Sequence, residues 1–493
     1  MKRIVNEFLG KLKCGKRWYA VLALCATTSV ALPAQTLTTL FSFDGTDGAG
    51  PFAGLVQAAN GELYGTTGQG GSNGDGTIFK IAPSGTLTTL YSFCQSGCAG
   101  APFPFGPIQA TNGDFYGTTE NGGANGQGTV FKITPGGTLS TLYSFCSQGG
   151  SNCTDGANPF AGLVQASNGD LYGTTYYGGA NFGGAGTVFK IAPSGALTNL
   201  YSFCAQSNCT DGGSPLAGLV QATNGDLYGT TFYGGVVNTS GGYGTIFKIT
   251  PGGTLTTLHS FCAESGCPDG GAPYAGLVQA TNGELYGTTT VGGANNQGTV
   301  FKITPGGTFT TLYSFCSLAN CADGRGSYAG LVQATNSDLY GTTSGGGASN
   351  AGTVFQITPG GGLTTLYSFC AQGGCTDGIS PEAGLVQATN GDLYGTTKIG
   401  GANNYGTVFS LSVGLGPFVE TQTTSGKVGA VVKILGTDLT GATSVSFNGT
   451  AAVFTVVSRS LITTTVPAGA TTGKVEVVTP RGTLSTYVPY RVP

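Results

Sequence analysis

Seven carboxylates occupy one recurring position. Glu62, Asp114, Asp170, Asp226, Glu284, Asp338 and Asp392 each stand directly before the phrase "LYGTT" or "FYGTT". Converging acids could hold a cation or work as general acid and base. Each of these, however, follows a hairpin turn, where a short polar residue is expected anyway. Lys80, Lys132, Lys190, Lys248 and Lys302 lie in the following strand as possible cross-strand partners. A catalytic pair would appear in one or two copies, not in all seven, so the structural reading is preferred.

The cysteines are just as regular. Of the 14, Cys14 and Cys25 fall in the first 34 residues. The other twelve form six close pairs: Cys94/Cys98, Cys146/Cys153, Cys204/Cys209, Cys262/Cys267, Cys316/Cys321 and Cys370/Cys375. Each pair follows "YSF" or "HSF", and the corresponding segment "DGTDGAGPF" lacks both members together. Joint presence and joint absence is what bonded pairs show. Zinc needs four ligands where each segment offers two cysteines. A thioredoxin-like site needs two intervening residues, and these pairs have three, four or six. Six structural disulfides are therefore expected, each closing a tiny loop and contributing at most about 2 kcal/mol.

Other constellations are thinner. The single histidine, His259, replaces the tyrosine of "LYSF", so a Ser-His-Asp triad would hang on that residue and no multi-histidine metal site can form. "GGANGQG" (122–128) has the glycines of a phosphate loop, but lies between two strands with no Lys-Ser/Thr. Asp155, Asp211, Asp269 and Asp377, in "TDG" or "PDG", could ligate Ca²⁺; turn formation explains them equally well. No cofactor or metal is expected.

The elements that position these residues come from two segments and a leader. Lys2, Arg3, Lys11, Lys13, Lys16 and Arg17 precede an apolar run from Trp18 through Leu32, and "LPAQ" places small Ala34 at a cleavage point. Residues 1–34 read as a secretory signal peptide cleaved after Ala34. The run is short for a membrane span, which makes an anchor the lesser reading. A lipid-modified Cys25 is weaker still. The protein is expected to be secreted or held at the cell surface, where disulfides persist, with no membrane-spanning segment left after cleavage. Losing residues 1–34 takes six basic residues and Glu7 from totals of 19 and 22, leaving 13 and 21 and a net charge of −8. Such a surface repels phosphate backbones, so nucleic acid is not an expected partner.

Composition agrees with a turn-rich β-protein. Charged residues are 8 % of the chain and glycine 90 of 493, with no G-X-Y period. The "YGTT" tyrosines Tyr64, Tyr116, Tyr172, Tyr228, Tyr286, Tyr340 and Tyr394 recur at intervals of 52 to 58 residues. One unit, from Gly276, splits into the strands "LVQA", "LYGTT", "TVFKIT" and "FTTLYSF". Asn-Gly turns the first into the second, and "PGGT" the third into the fourth. Apolar residues on both strand faces demand cover on both sides. Four antiparallel strands repeated seven times predict a seven-bladed β-propeller over residues 35–413, with an open β-solenoid as the alternative. The seventh unit lacks a fourth strand after "TVFSLSV", while the same phrase, "TLTTLFSF" (Thr36–Phe43), precedes the first. The N-terminal strand is thus expected to complete the last blade and close the ring, which would leave no sheet edge from an unfinished blade.

The phrases "LVQATNGDLYGTT", "GGAN…GTVFKIT" and "TLTTLYSF" resemble the Gloeo_Verruco (GloVer) tandem repeat of bacterial secreted proteins, over roughly residues 36–413. The resemblance implies an exported, often surface-associated protein, and supplies no catalytic residues. From about Gly416 the repeat stops. "VKILGTDL", "SVSFNG", "ITTTVP" and "TTGKVEVVTP" resemble the IPT/TIG domain, an immunoglobulin-like fold that acts as spacer or interaction module. Residues 414–493 are expected to form a small Ig-like β-sandwich after a short linker.

The expected function is a non-enzymatic binding or structural module for an extracellular glycan or protein. The alternative is a propeller enzyme acting on extracellular polysaccharide, which would need unique charged residues that break the repeat. Strand alternation puts the "TNGD" and "PGGT" turns at one end and the second-to-third loops and cysteine segments at the other. Length variation gathers at that second end, with the candidate ligand-binding aromatics Tyr176, Tyr177, Phe182, Phe232, Tyr233, Tyr243 and Tyr405. Packing over glycine-rich loops is an equally good account of these rings.

Overall fold

The computed structural model describes residues 35–94, 102–148, 153–181, 183–236 and 242–493. The leader with its cleavage point at Ala34, Cys98 and Phe182 lie outside the described residues. The protein is all-β. Among the described residues there is no α-helix, and the strands form nine four-stranded antiparallel sheets.

Seven of the sheets come from the repeat. In the third, Val164–Gln165, Leu171–Thr175, Thr187–Ile191 and Leu197–Ser202 pair in chain order. The first turn is set by Asn168 and by Gly169 at φ +88°. The Asn168 side chain accepts from the Asp170 N–H at 3.1 Å and donates to the Tyr172 hydroxyl at 3.0 Å. That second bond satisfies a hydroxyl on an otherwise buried ring, and an asparagine makes it in all seven sheets. The second strand is buried along its length in every repeat sheet. Its central glycine is forced by packing: a Cβ on Gly65 would sit 2.6 Å from the Phe79 ring and 2.7 Å from Leu55.

With both faces buried, each sheet packs between two others. The third and fourth share Tyr172, Val188 and Phe203 on one side and Leu219, Leu227 and Phe247 on the other. Every consecutive pair shares such a cluster. The last and first do too, through Phe43, Ala388, Tyr394 and Val408 against Leu55, Leu63, Phe79 and Ile81. Each fully buried side chain of this kind contributes about 1.5–3 kcal/mol.

The N-terminal strand Thr36–Ser42 pairs antiparallel with Thr407–Ser412 and is the fourth strand of the last repeat sheet. It carries a register shift between Thr39 and Phe41, and the other six sheets show one at the same pairing. A second relation repeats from sheet to sheet. Gln109, Gln165, Gln221, Gln279, Gln333 and Gln387, at the end of each first strand, accept from a backbone N–H in the turn of the preceding sheet. Gln57 of the first sheet accepts in the same way from Thr389 of the last.

The remaining two sheets are C-terminal. One orders Val419–Thr421, Val431–Gly436, Leu461–Thr465 and Phe454–Ser458; the other orders Thr450–Ala452, Ser444–Phe447, Val475–Thr479 and Gly482–Ser485. Inward residues of both, including Val432, Ile434, Phe447, Ile462 and Val477, make one apolar cluster. This segment lies against the "TNG" turns of the repeat sheets. Ser460 Oγ donates to Ala59 O (2.9 Å), Lys433 Nζ to Thr111 O (3.0 Å) and an Arg491 guanidinium nitrogen to Thr223 O (3.2 Å). The hydroxyls of Thr389 and Thr437 share a 2.9 Å bond. Turns of the first, second, fourth and seventh repeat sheets are thereby engaged.

Candidate functional site

The acids of the turn end are tied down individually. Lys80 sits 2.9 Å from Glu62, Lys302 3.1 Å from Glu284 and Lys132 3.5 Å from Asp114, with longer pairs at Lys190–Asp170 and Lys248–Asp226. Gln356 donates to Asp338, and Asn390 to Asp392. The five lysine pairs are partly exposed cross-strand ion pairs, each contributing about 0–1 kcal/mol.

At the opposite end, five of the expected disulfides are formed: Cys146–Cys153, Cys204–Cys209, Cys262–Cys267, Cys316–Cys321 and Cys370–Cys375. The sixth pair involves Cys98, outside the described residues. Both cysteines of each formed pair have φ between 44° and 62°. That left-handed region is costly for a residue with a Cβ and persists only where the surroundings fix it. An aspartate does part of the fixing. Asp211 is fully buried and accepts from the Tyr201 hydroxyl (2.8 Å) and the Ala205 N–H (2.9 Å) on Oδ2, and from the Gln206 N–H on Oδ1. Asp155, Asp323 and Asp377 repeat the tyrosine and backbone contacts. The calcium candidates Asp211, Asp269 and Asp377 thus spend both oxygens on the turn that carries them, while Asp155 uses Oδ2 and leaves Oδ1 without a partner among the described residues. Among the described residues no group of three or more His, Cys, Asp or Glu could hold a metal ion. His259 stands in for the tyrosine, with Nε2 2.8 Å from Asp269 and its ring stacked on Phe309. Burial, then the aspartate bond, pushes the Tyr313 hydroxyl up to about 12.

Closer to the sheets' inner edges, the strands begin at a chain of glycines. A Cβ added to Gly162, Gly218, Gly276 or Gly54 would lie within 3.3 Å of a glycine carbonyl of the preceding sheet (Gly106, Gly162, Gly218 and Gly384, respectively). One or two residues before that glycine, the seven sheets carry Phe52, Phe105, Phe160, Leu216, Tyr274, Tyr328 and Glu382. Directly after "YGTT" in four of them stand Glu120, Tyr176, Phe232 and Lys398.

The structure joins these two sets. Phe105 meets Phe160 at 5.6 Å between centroids, Phe160 meets Tyr176 at 5.2 Å, and Tyr176 meets Tyr177 at 4.3 Å. Phe232 contacts Tyr233 and Tyr274, and Tyr274 meets Tyr328 at 5.2 Å. Burial raises the Tyr176 hydroxyl to about 12, with lesser contributions from Tyr177 and Tyr233. Tyr177 is 51 % exposed and Tyr233 47 %. Lys398 lies 4.7 Å above the centre of the Phe52 ring and 3.3 Å from Glu382. Burial raises Tyr274, with smaller contributions from Glu382, Tyr328 and Glu120. Burial likewise pushes Glu120 up, against a bond from Asn121.

Of the seven aromatics singled out in the sequence, Tyr176, Tyr177, Phe232 and Tyr233 belong to this arc. Phe182 is outside the described residues. Tyr243 and Tyr405 pack elsewhere, against Gly271 and Gly45 of neighbouring segments, each with 40 % or more of its surface open. Sequence reasoning missed Phe52, Phe105, Phe160, Tyr274 and Tyr328. The signal was a position before the recurring "AGLVQ" that changes between aromatic, leucine and glutamate while its neighbours hold.

A family model for the Gloeobacter/Verrucomicrobia repeat matches residues 27–154, 151–327 and 316–444. The chain belongs to that repeat family. An IPT/TIG domain model matches residues 417–492 of this repeat protein. No curated protein matches it. Among solved structures, a fungal alcohol oxidase of the AA5 family, in complex with copper, is 12 % identical at a TM-score of 0.52, covering 93 % of the repeat protein and 99 % of the oxidase. The extracellular domain of a putative hybrid two-component system from B. thetaiotaomicron is 11 % identical at a TM-score of 0.48, covering 93 % and 58 %. The first likeness concerns the fold alone.

Proposed function

We propose that the repeat protein is a seven-bladed propeller closed by its own N-terminal strand, exported by its leader, and that it binds an extracellular glycan or protein without transforming it. The cyclic succession of shared clusters, with the last sheet packed on the first, supports the propeller. The two C-terminal sheets around one cluster support an Ig-like sandwich. Disulfides in the linkers support export. No helix among the described residues is long and apolar enough to cross a membrane.

One observation carries the binding assignment. The C-terminal segment occupies turns at one end of the sheets, while the other end presents two runs of partly exposed aromatic rings. Rings held on a rigid scaffold offer stacking area at small entropic cost. The test is a glycan and protein array screen of the full mature chain, with each hit recovered and analysed. A ligand bound and recovered unchanged supports the reading; steady conversion of a bound polysaccharide contradicts it.

A further inference from the structure

Tyr177 and Tyr233 are one mount built twice. Each lies two residues after the second strand of its sheet, Leu171–Thr175 and Leu227–Thr231. In both, the backbone bridges to a small residue. The Ala157 N–H donates to Tyr177 O at 2.9 Å and the Tyr177 N–H to Ala157 O at 3.0 Å, and Gly213 and Tyr233 exchange bonds of 2.9 and 3.0 Å. The threonine that closes the strand, Thr175 or Thr231, donates its hydroxyl to the same tyrosine carbonyl at 2.9 Å. The ring of the preceding residue backs each tyrosine, Tyr176 at 4.3 Å and 80°, Phe232 at 4.8 Å and 84°. With alanine or glycine across the bridge, about half of each tyrosine stays open to solvent.

Elsewhere among the described residues the equivalent bridges carry no ring. Val291 faces Gly271, Ile399 faces Ile379, Gln69 faces Ala49, and in the sixth sheet Arg325 faces Gly345. The tyrosine mounts are therefore confined to the third and fourth sheets, which pack on each other through Tyr172, Val188 and Phe203 against Leu219, Leu227 and Phe247. Sheets packed face to face lie ~10 Å apart, and that distance spaces the two equivalent rings. The stretches around them, residues 156–163, 176–181, 212–219 and 232–236, contain no Asp, Glu, Lys or Arg.

Resting on the binding role above, we infer that the ligand is a neutral, linear β-1,4-linked glycan whose alternate sugar rings stack on Tyr177 and Tyr233. The C–H face of a sugar packs on an aromatic face, and a tyrosine offers that area with few rotamers to freeze. In an extended β-1,4-linked chain each sugar is turned over relative to the last, so every second ring presents the same face. The length of one disaccharide unit matches the ~10 Å between the mounts. An acidic or basic sugar would find no ion-pair partner beside either ring, which selects an uncharged chain.

Saturation-transfer NMR titrations of the full mature chain test this with disaccharides and trisaccharides of β-1,4-linked glucose, mannose, xylose and N-acetylglucosamine. A disaccharide covers one tyrosine, whereas a trisaccharide sets its first and third sugars on both. In at least one series the trisaccharide should bind about tenfold more tightly than the disaccharide. Tyr177→Ala and Tyr233→Ala should each abolish that gain at an unchanged melting temperature, and Tyr177→Phe, which keeps the ring, should retain it. Maltotriose, whose α linkage curves the chain, and trigalacturonate, which is charged, should show no such gain over their disaccharides. No binding in any series, trisaccharides no tighter than disaccharides, a gain that survives both alanine variants, or an equal gain by either control each overturns the inference. A protein ligand from the array screen that is lost on Tyr177→Ala/Phe232→Ala/Tyr233→Ala, with no glycan bound, leaves the binding role standing and removes the glycan assignment. Cleavage of a bound trisaccharide does the reverse: the tyrosine platform stands and the non-transforming role falls.

Discussion

Gln57 and Thr389 are 332 residues apart in the chain, and the Thr389 N–H donates to Gln57 Oε1 at 2.8 Å. The same glutamine donates to the carbonyl of Gly61 in its own turn. One side chain thus ties the first repeat sheet to the last. Its six counterparts do the same between consecutive sheets, so the first and last meet no differently from any other pair.

Gln57→Ala should therefore cost what Gln221→Ala costs. Each removes one bond between sheets and one within a turn, a loss of about 1–2 kcal/mol. Thermal melts of the two variants should fall together by about 1–2 °C. A measurable loss for Gln221→Ala with none for Gln57→Ala would mean that the first and last sheets part in solution.

Deleting Thr36–Phe43 removes the fourth strand of the last sheet and the buried Phe43 between that sheet and the first. The exposed edge of Thr407–Ser412 becomes a template for pairing with other chains. The truncated protein should melt well below the parent and aggregate on heating, as scanning calorimetry and light scattering can record. An unchanged melting temperature speaks against closure by the N-terminus.

Much of this was legible because it is local. Asn168, Gly169 and Tyr172 lie within five residues, and a turn followed by a buried strand can be read from them directly. The offset of "TLTTLFSF" needed only counting. The role of Gln57 was not legible, because its partner belongs to another sheet and "VQA" reads equally well as an ordinary strand end. Phe160 and Tyr274 were missed for the same reason: they meet Tyr176 and Phe232 only when adjacent sheets bring two different repeat positions together. Nothing in the sequence of Lys433 or Arg491 announces that they bond to turns more than 250 residues away.

Mass spectrometry under non-reducing conditions should find six disulfides, each within one linker. Replacing a pair by serines, as at Cys204 and Cys209, should cost about 2 kcal/mol or less by loop closure alone. The cost should fall short of that figure if the disulfide holds both residues at their costly positive φ, because removing the bond lets the backbone relax. Free thiols at several pairs contradict the assignment.

Alkaline titration reports on the tyrosine–aspartate pairs. The folded-state pKa of Tyr313 is raised to about 12 by burial and by Asp323, above its ordinary value of about 10. The stabilisation is complete below about pH 10 and is lost as pH rises through about 12, because the unfolded chain gives up the proton first. Stability should fall across that window, and Tyr313→Phe should make the fall shallower. Identical pH profiles for variant and parent would show that the pair does not hold its proton.

The binding face is tested most directly by the triple variant Tyr177→Ala/Phe232→Ala/Tyr233→Ala, assayed against whichever ligand the arrays return. Tyr177 and Tyr233 are about half exposed, and the far-UV circular dichroism and melting temperature should stay near those of the parent. Affinity should drop by about tenfold or more, since each stacked ring is worth about 0.5–1.5 kcal/mol. Binding that persists in the triple variant but is abolished by Asn112→Ala and Asn224→Ala, in turns at the opposite end, would place the ligand on the wrong face for this account.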